Sequence, residues 1–168
     1  MDRAIPVVAW SEPGMRVLDL GCGMGDVALL AAGLVGTTGH VTGIDRDVTV
    51  IEKAREQARL EGRSANIEFI HSDLFEFRGR RFDAVIGRYF LLYQPDLAAA
   101  ISHAAQQVRS GGIVLFHEMD FANDIRSCPE KTLFGTIQTL VAETFRRAGF
   151  WADLGLHLTR LFLDSGLP

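Results

Sequence analysis

The stretch VLDLGCGMGD, residues 17–26, decides the fold. Val17, Leu18 and Leu20 make a short apolar run with one acid, Asp19, near its end, and Gly21, Gly23 and Gly25 follow at once. The run predicts a buried strand, the glycines a tight turn, and the residues from Asp26 onward a helix. Glycine at alternate positions lets the backbone adopt positive φ and come close to a ligand, while the first turn of the helix points unpaired N–H groups into the same space. The stretch predicts a site for a polar, nucleotide-like ligand, against the plainer reading of a glycine-rich turn that holds nothing.

The glycine spacing separates two kinds of ligand. A dinucleotide fingerprint, G-x-G-x-x-G counted from Gly21, needs its third glycine at residue 26, where this chain has Asp26. A carboxylate at the helix start repels a pyrophosphate and fills its place, which disfavours a nicotinamide dinucleotide. The pattern present is acid-x-G-x-G-x-G, which suits a ligand without phosphate.

Bulk properties narrow the field. The chain has 168 residues, 48% hydrophobic and 23% charged, the composition and size of one globular domain over residues 1–168. No apolar run approaches the ~20 residues of a membrane span. The stretch MDRAIPVVAW is too weakly hydrophobic for a signal peptide, so a cytoplasmic protein is expected. Cys22 and Cys128 provide neither a disulfide framework nor metal-ligand spacing, and separate reduced thiols are expected. A net charge of -4 without a concentrated Lys/Arg run argues against nucleic acid as a partner.

Outward from the glycine loop, the pattern repeats. Val27 to Val35 is apolar nearly all round, as in a helix packed tightly on a sheet, and Gly36 to Gly39 stops it. His40 to Asp45 predicts a second strand, with Asp47 capping a helix whose Ile51, Ala54 and Ala58 keep helical spacing. Asn66 to Ile70 gives a third strand ending at His71-Ser72-Asp73, and Arg81 to Gly87 a fourth. After Gln94-Pro95-Asp96, a helix carries Leu97, Ile101, Ala104, Ala105 and Val108 on one stripe, and Ser110-Gly111-Gly112 is expected to end it with glycine at C′. Ile113 to Phe116 is the fifth strand. Strands alternating with helices predict an α/β fold: a three-layer, Rossmann-like parallel sheet with helices on both faces and ligands at the strands' carboxyl ends. Beyond Asp120 the alternation stops; Pro129 to Ala148 and the segment with Leu154, Leu158, Leu161 and Phe162 predict two further helices. The first of these is expected to lie over the ligand mouth as a lid.

Five separated stretches, spanning about residues 15 to 120, resemble the class I S-adenosylmethionine-dependent methyltransferases, in the small-molecule branch that includes ubiquinone and menaquinone biosynthesis enzymes. DLGCGMGD resembles their first motif, GIDRD the acid after the second strand, HSDLFEF the third-strand motif, and FDAVIGRYFLLY and VRSGGIVLFHEMD the fourth and fifth strand regions. The resemblance implies S-adenosyl-L-methionine as cofactor, held by Asp19, Gly21, Cys22, Gly23, Gly25, Asp45, Arg46, Asp73, Leu74 and Arg88. Asp45 would accept hydrogen bonds from the ribose hydroxyls, for which an acceptor-only carboxylate is suited, and Asp73 would meet the adenine amino group, with the Leu74 backbone at the ring edge. Plainer roles stay open: helix capping for Asp45, an Asx turn for Asp73, and bracing of the loop through backbone N–H groups for Asp19. Complete members of the family carry a C-terminal antiparallel hairpin after the fifth helix. Here that hairpin is missing, only five strands are expected, and a truncated form is implied.

The implied reaction is methyl transfer to a small-molecule acceptor, driven mainly by positioning. A general base helps only if the acceptor arrives protonated; Tyr89, Tyr93, His117 and Glu118, after the fourth and fifth strands, are the candidates. His117-Glu118 lacks the second histidine of an H-E-x-x-H zinc helix, and no metal is expected. The chain also lacks the Asn/Asp-Pro-Pro-aromatic run of nucleic-acid amino-methylating enzymes. The rival readings are a non-catalytic S-adenosylmethionine-binding or dimerising module and an NAD-dependent oxidoreductase. A fifth strand apolar on both faces, left without an outer neighbour, predicts a homodimer. The last helix is likewise expected to lack a sheet surface for Leu161, Phe162 and Leu163.

Overall fold

The computed structural model describes residues 11–79, 81–121, 129 and 132–167. Five parallel strands form one sheet in the order β3-β2-β1-β4-β5: β1 (Arg16–Leu20), β2 (His40–Asp45), β3 (Ile67–His71), β4 (Phe82–Arg88) and β5 (Val108–His117). The helices are α1 (Asp26–Val35), α2 (Val48–Leu60), α3 (Leu97–Gln107), α4 (Thr132–Arg147) and α5 (Leu154–Asp164). β1 pairs on both sides, with β2 (Val17 opposite Val41) and with β4 (Val17 opposite Ala84). This central place explains why Val17, Leu18 and Leu20 are all buried although they alternate between faces: both faces are covered.

Two clusters make the two cores. On one face Val17, Val41, Ala84 and Ile86 meet Ala28, Ala31, Ala32 and Val35 of α1 and Ile51, Ala54 and Ala58 of α2. Small side chains let these helices lie close to the sheet. On the other, Leu18, Leu20, Val85 and Phe116 meet Leu97, Ile101 and Ala104 of α3 and Leu154 of α5, with larger aromatics filling the space. The predicted caps form: Asp47 Oδ1 accepts the Thr49 N–H at 2.8 Å, and Asp96 Oδ1 the Ala99 N–H at 2.9 Å.

Three expectations are corrected. α3 ends at Gln107, with Val108 already extended, so Ser110-Gly111-Gly112 does not cap the helix but lies within β5. Between the pairs Phe82–Val108 and Ala84–Ile113, β5 bulges, and Gly111 takes φ +73°. A Cβ on Gly112 would come within 2.6 Å of the Asp83 carbonyl oxygen, while Asp83 holds the bulge through Arg109 Nε at 2.6 Å. The glycines therefore serve a close strand approach, which sequence alone cannot tell from a helix stop. Second, α5 does have a sheet surface: Phe162 meets Phe116 of β5 edge-on, with ring centroids 6.1 Å apart, although Leu163 points outward. Third, α1 is not buried all round, since Leu30 and Leu34 are exposed. The expectations for residues 1–10 and for Cys128 lie outside the described residues.

Among the described strands the two edges differ. At β3, Arg55 of α2 donates from Nε and Nη2 to the Phe69 carbonyl at 3.1 and 2.7 Å. β5 pairs with β4, and beside its outer edge Val114, Leu115 and Phe116 line an apolar groove with Leu158, Phe162 and Leu163 of α5. No helix among the described residues is long and apolar enough to cross a membrane.

Candidate functional site

The carboxyl ends of β1, β2, β3 and β4 converge on a cavity of about 260 Å³. Gly21 lines it from the loop after β1, Ile44, Asp45 and Arg46 from the end of β2, and Ser72, Asp73 and Leu74 from the turn after β3. Tyr89, Phe90, Tyr93 and Gln94 close the side after β4.

The glycine loop has the backbone its sequence predicts. Gly21, Gly23 and Gly25 stand at φ +64°, +53° and +92°, and no atom would lie within 4 Å of a Cβ on Gly23. Gly25 is the N-cap of α1 and, having no side chain, makes no cap hydrogen bond to the helix start. Asp45 ties loop to strand: its Oδ2 accepts the Gly23 N–H at 3.0 Å and its Oδ1 the Asp47 N–H at 2.9 Å. A carboxylate oxygen accepts more than one hydrogen bond, so these contacts orient Asp45 toward the cavity without exhausting it.

Asp19 lies beneath the loop, wholly buried and not on the cavity wall. Burial pushes its carboxyl up to about 8, against the pull of the Arg88 guanidinium and the Ala28 N–H, and its Oδ2 has no hydrogen-bond partner. The unpaired oxygen is an opening for a donor, and the Ala28 contact braces the start of α1. Cys22 is buried in the same loop; burial and the nearby Asp19 and Asp45 raise its thiol's pKa, so it stays protonated and inert. Arg88 stands over the Tyr89 ring, 5.1 Å from its centroid.

Of the residues picked out by sequence, Gly21, Asp45, Arg46, Asp73, Leu74, Tyr89 and Tyr93 share the cavity. Asp19, Cys22, Gly23, Gly25 and Arg88 do not line it. Asp73 makes the Asx turn, accepting the Phe75 N–H at 2.8 Å through Oδ1, while also lining the cavity. Neither His117 nor Glu118 lines the wall; His117 Nδ1 is buried without a partner, and Glu118 binds backbone amides. Besides Ile44, the penultimate residue of β2, the lining residues that motif reading passes over are Ser72, Phe90 and Gln94. Their signal is position alone, since each follows the carboxyl end of a parallel strand.

Residues 11–149 match the family described as a methyltransferase domain. The chain belongs to that family. Among curated members it is 38% identical over 109 residues to aklanonic acid methyltransferase DauC of Streptomyces sp. (strain C5), covering 63% of this chain and 50% of that protein. It is 35% identical over 108 residues to 2-phytyl-1,4-naphtoquinone methyltransferase of Synechococcus elongatus, covering 62% of this chain and 46% of that one. The chain thus spans about half the length of the curated relatives it matches. A solved methyltransferase from Thiobacillus denitrificans, in complex with S-adenosyl-L-homocysteine, superposes with a TM-score of 0.56 at 29% identity, over 65% of this chain and 44% of its own. In this methyltransferase domain the glycine loop, Asp45 and Asp73 stand at the ends of the first three strands, where open parallel sheets bind ligands.

Among the described residues no three His, Cys, Asp or Glu side chains gather as metal ligands. α4, the expected lid, contributes no residue to the cavity wall. It reaches the mouth indirectly: Phe145 lies 6.1 Å from Phe150, and Phe150 meets Tyr93 edge-on at 4.9 Å.

Proposed function

We propose that the chain is an S-adenosylmethionine-dependent methyltransferase of an apolar, aromatic small molecule. The observation that carries the reading is the mixed lining of one cavity: Gly21, Asp45, Arg46, Ser72 and Asp73 line it from the ends of β1 to β3, and the rings of Tyr89, Phe90 and Tyr93 after β4. Asp45 suits a ribose diol, Asp73 and the Leu74 backbone an adenine edge, and the unpaired Asp19 oxygen together with the open α1 start an amino-acid tail. When bound, the sulfonium supplies the methyl carbon, its C–S bond breaking as the acceptor atom bonds to that carbon, and S-adenosyl-L-homocysteine leaves with the electron pair. The chain's own part is to hold acceptor and cofactor in line and keep water from between them.

The aromatic class of acceptor is supported by a file of rings running outward from the cavity. Tyr93 meets Phe150, Phe150 meets Phe145, and Phe145 stacks on Phe121 at 4.9 Å. Rings of this kind favour offset or edge contacts with a planar guest. The relatives named for aklanonic acid and for a phytyl naphthoquinone point the same way. For a phenolic acceptor, Tyr89 and Tyr93, which line the cavity, are the candidates for proton transfer. We place the enzyme in the cytoplasm, and pair two copies of it by the outer edge of β5 and the apolar groove beside it, since an edge strand with an apolar flank invites a self-complementary contact.

Calorimetric titration tests the reading. S-adenosyl-L-homocysteine should bind, and Asp45→Ala should weaken it roughly tenfold or more, the loss expected when a charged acceptor worth about 1.5–3 kcal/mol is removed. Saturable micromolar binding of NADH with none of S-adenosyl-L-homocysteine would return the site to an oxidoreductase. Methyl transfer to aromatic acceptors then separates an enzyme from a binding module.

A further inference from the structure

Glu118 is the first residue beyond β5, and its side chain is buried (8% exposed) behind the cavity wall. Its Oε1 accepts two successive backbone N–H groups, from Phe90 at 2.9 Å and from Leu91 at 2.7 Å. These amides open the single 3-10 turn Leu91–Tyr93, which has no cap from its own leading side chain. The preceding amide is held as well, since the Tyr89 N–H donates to the His117 carbonyl at 2.9 Å. The end of β5 therefore grips residues 89, 90 and 91 in succession.

That grip acts on a strained segment. Tyr89 stands at φ +54°, alone among the described non-glycine residues in the left-handed region, a conformation that persists only where its surroundings over-determine it. The segment also forms one whole side of the cavity through Tyr89, Phe90, Tyr93 and Gln94. The Phe90 ring presses on the glycine loop so closely that a Cβ on Gly21 would come within 2.7 Å of it. What the turn takes from Glu118 is one acceptor oxygen within reach of two successive amides.

We infer that Glu118 is a positioning residue of the cofactor site: by binding the Phe90 and Leu91 amides it fixes the strained turn that sets Phe90 against the glycine loop and Tyr93 across the cavity. The role is distinct from a general base, because the carboxylate faces backbone and not the cavity. It rests on the cofactor reading given above for its ligand consequence, and on geometry alone for its effect on the turn.

Two conservative variants separate reach from charge. Glu118→Gln keeps an acceptor oxygen at the same distance and drops the charge; Glu118→Asp keeps the charge and draws the oxygen back by one methylene. Hydrogen exchange of the ligand-free protein should find the Phe90 and Leu91 amides as protected in Glu118→Gln as in the parent, and roughly tenfold faster or more in Glu118→Asp, with Val85 and Ile86 inside β4 unchanged in both. Affinity for S-adenosyl-L-homocysteine should follow, within about threefold for Gln and reduced about tenfold for Asp. Unchanged amides and affinity in Glu118→Asp, or equal losses in both variants, overturn the inference. Loss of protection at Val85 and Ile86 overturns it too, because the residue would then support the sheet at large. A parent protein that fails to bind S-adenosyl-L-homocysteine while its amides behave as expected overturns the cofactor reading and, with it, the ligand half of the inference.

Discussion

The two halves of the sheet solve the same packing problem with different materials. Around β1, β2 and α1 the atoms in contact are those of Ala28, Ala31, Ala32, Ala54 and glycine backbone, and the loop approaches within the width of a methyl group. Around β5, α4 and α5 the contacts are between rings, Phe116 with Phe162, Phe145 with Phe121 and Phe150, and many of those side chains are half-exposed. A half that grips one fixed ligand by backbone has no slack to give. A half that meets a guest through side chains can change its rings without moving its strands. The contrast assigns invariance of geometry to the first half and adaptability to the second.

The sharpest way to break that contrast is to add one methyl group to the tight half. Gly25→Ala puts a side chain on a backbone at φ +92° and a Cβ within 2.7 Å of the Phe69 ring and 3.3 Å of Ala54. The expected loss is about 2–4 kcal/mol, read as a fall of roughly 5–15 °C in the thermal midpoint. A midpoint unchanged by the substitution would mean that the loop does have slack.

Next in size is a pH effect from the same half. The Asp19 carboxyl sits at about 8 in the folded chain and ionises near 4 when unfolded, so the folded state binds the proton more tightly. Its contribution is therefore greatest at low pH and is lost progressively as the pH rises from about 4 to about 8. Asp19→Asn removes the titration while keeping an acceptor for the Ala28 N–H. Its stability should decline less than the parent's between pH 5 and 8, with denaturant melts at each pH as the measurement. Glu118, raised to about 7 by burial, adds the same slope to both proteins and so cancels in the difference.

The smallest change in stability should come from the loose half. Leu163 is 59% exposed beside the groove at β5, so Leu163→Arg should move stability by no more than about 0.5 kcal/mol. Its effect should lie in assembly: light scattering on a sizing column should read twice 18.5 kDa for the parent and 18.5 kDa for the variant. A parent that already runs at 18.5 kDa at low micromolar concentration removes the paired-edge proposal.

The tight half was also the legible one, for the same reason. Glycines at 21, 23 and 25 take positive φ, and the acids at 45 and 73 accept backbone N–H groups of the loop and the Asx turn, so backbone demands of this kind are written in the letters. The loose half is specified by shape. Ser110-Gly111-Gly112 reads equally well as a helix stop and as a bulge, and only the approach of Gly112 to the Asp83 carbonyl decides between them. Glu118 reads as a strand-end acid; that it serves amides 27 and 28 positions earlier depends on β4 and β5 lying side by side. α4 has the periodicity of a helix, but nothing in its letters tells that it stays off the cavity wall and packs Phe145 against Phe150.

One buried sulfur has a bearing on the chemical durability of the glycine loop. A methyl donor is an alkylating agent, and the softest nucleophile in this loop, Cys22, lies in the segment read as its cradle. With its thiol kept protonated by burial and by two neighbouring acids, and its Sγ turned toward the Gly23 carbonyl at 3.8 Å, Cys22 is poorly disposed to attack an electrophile held in this loop.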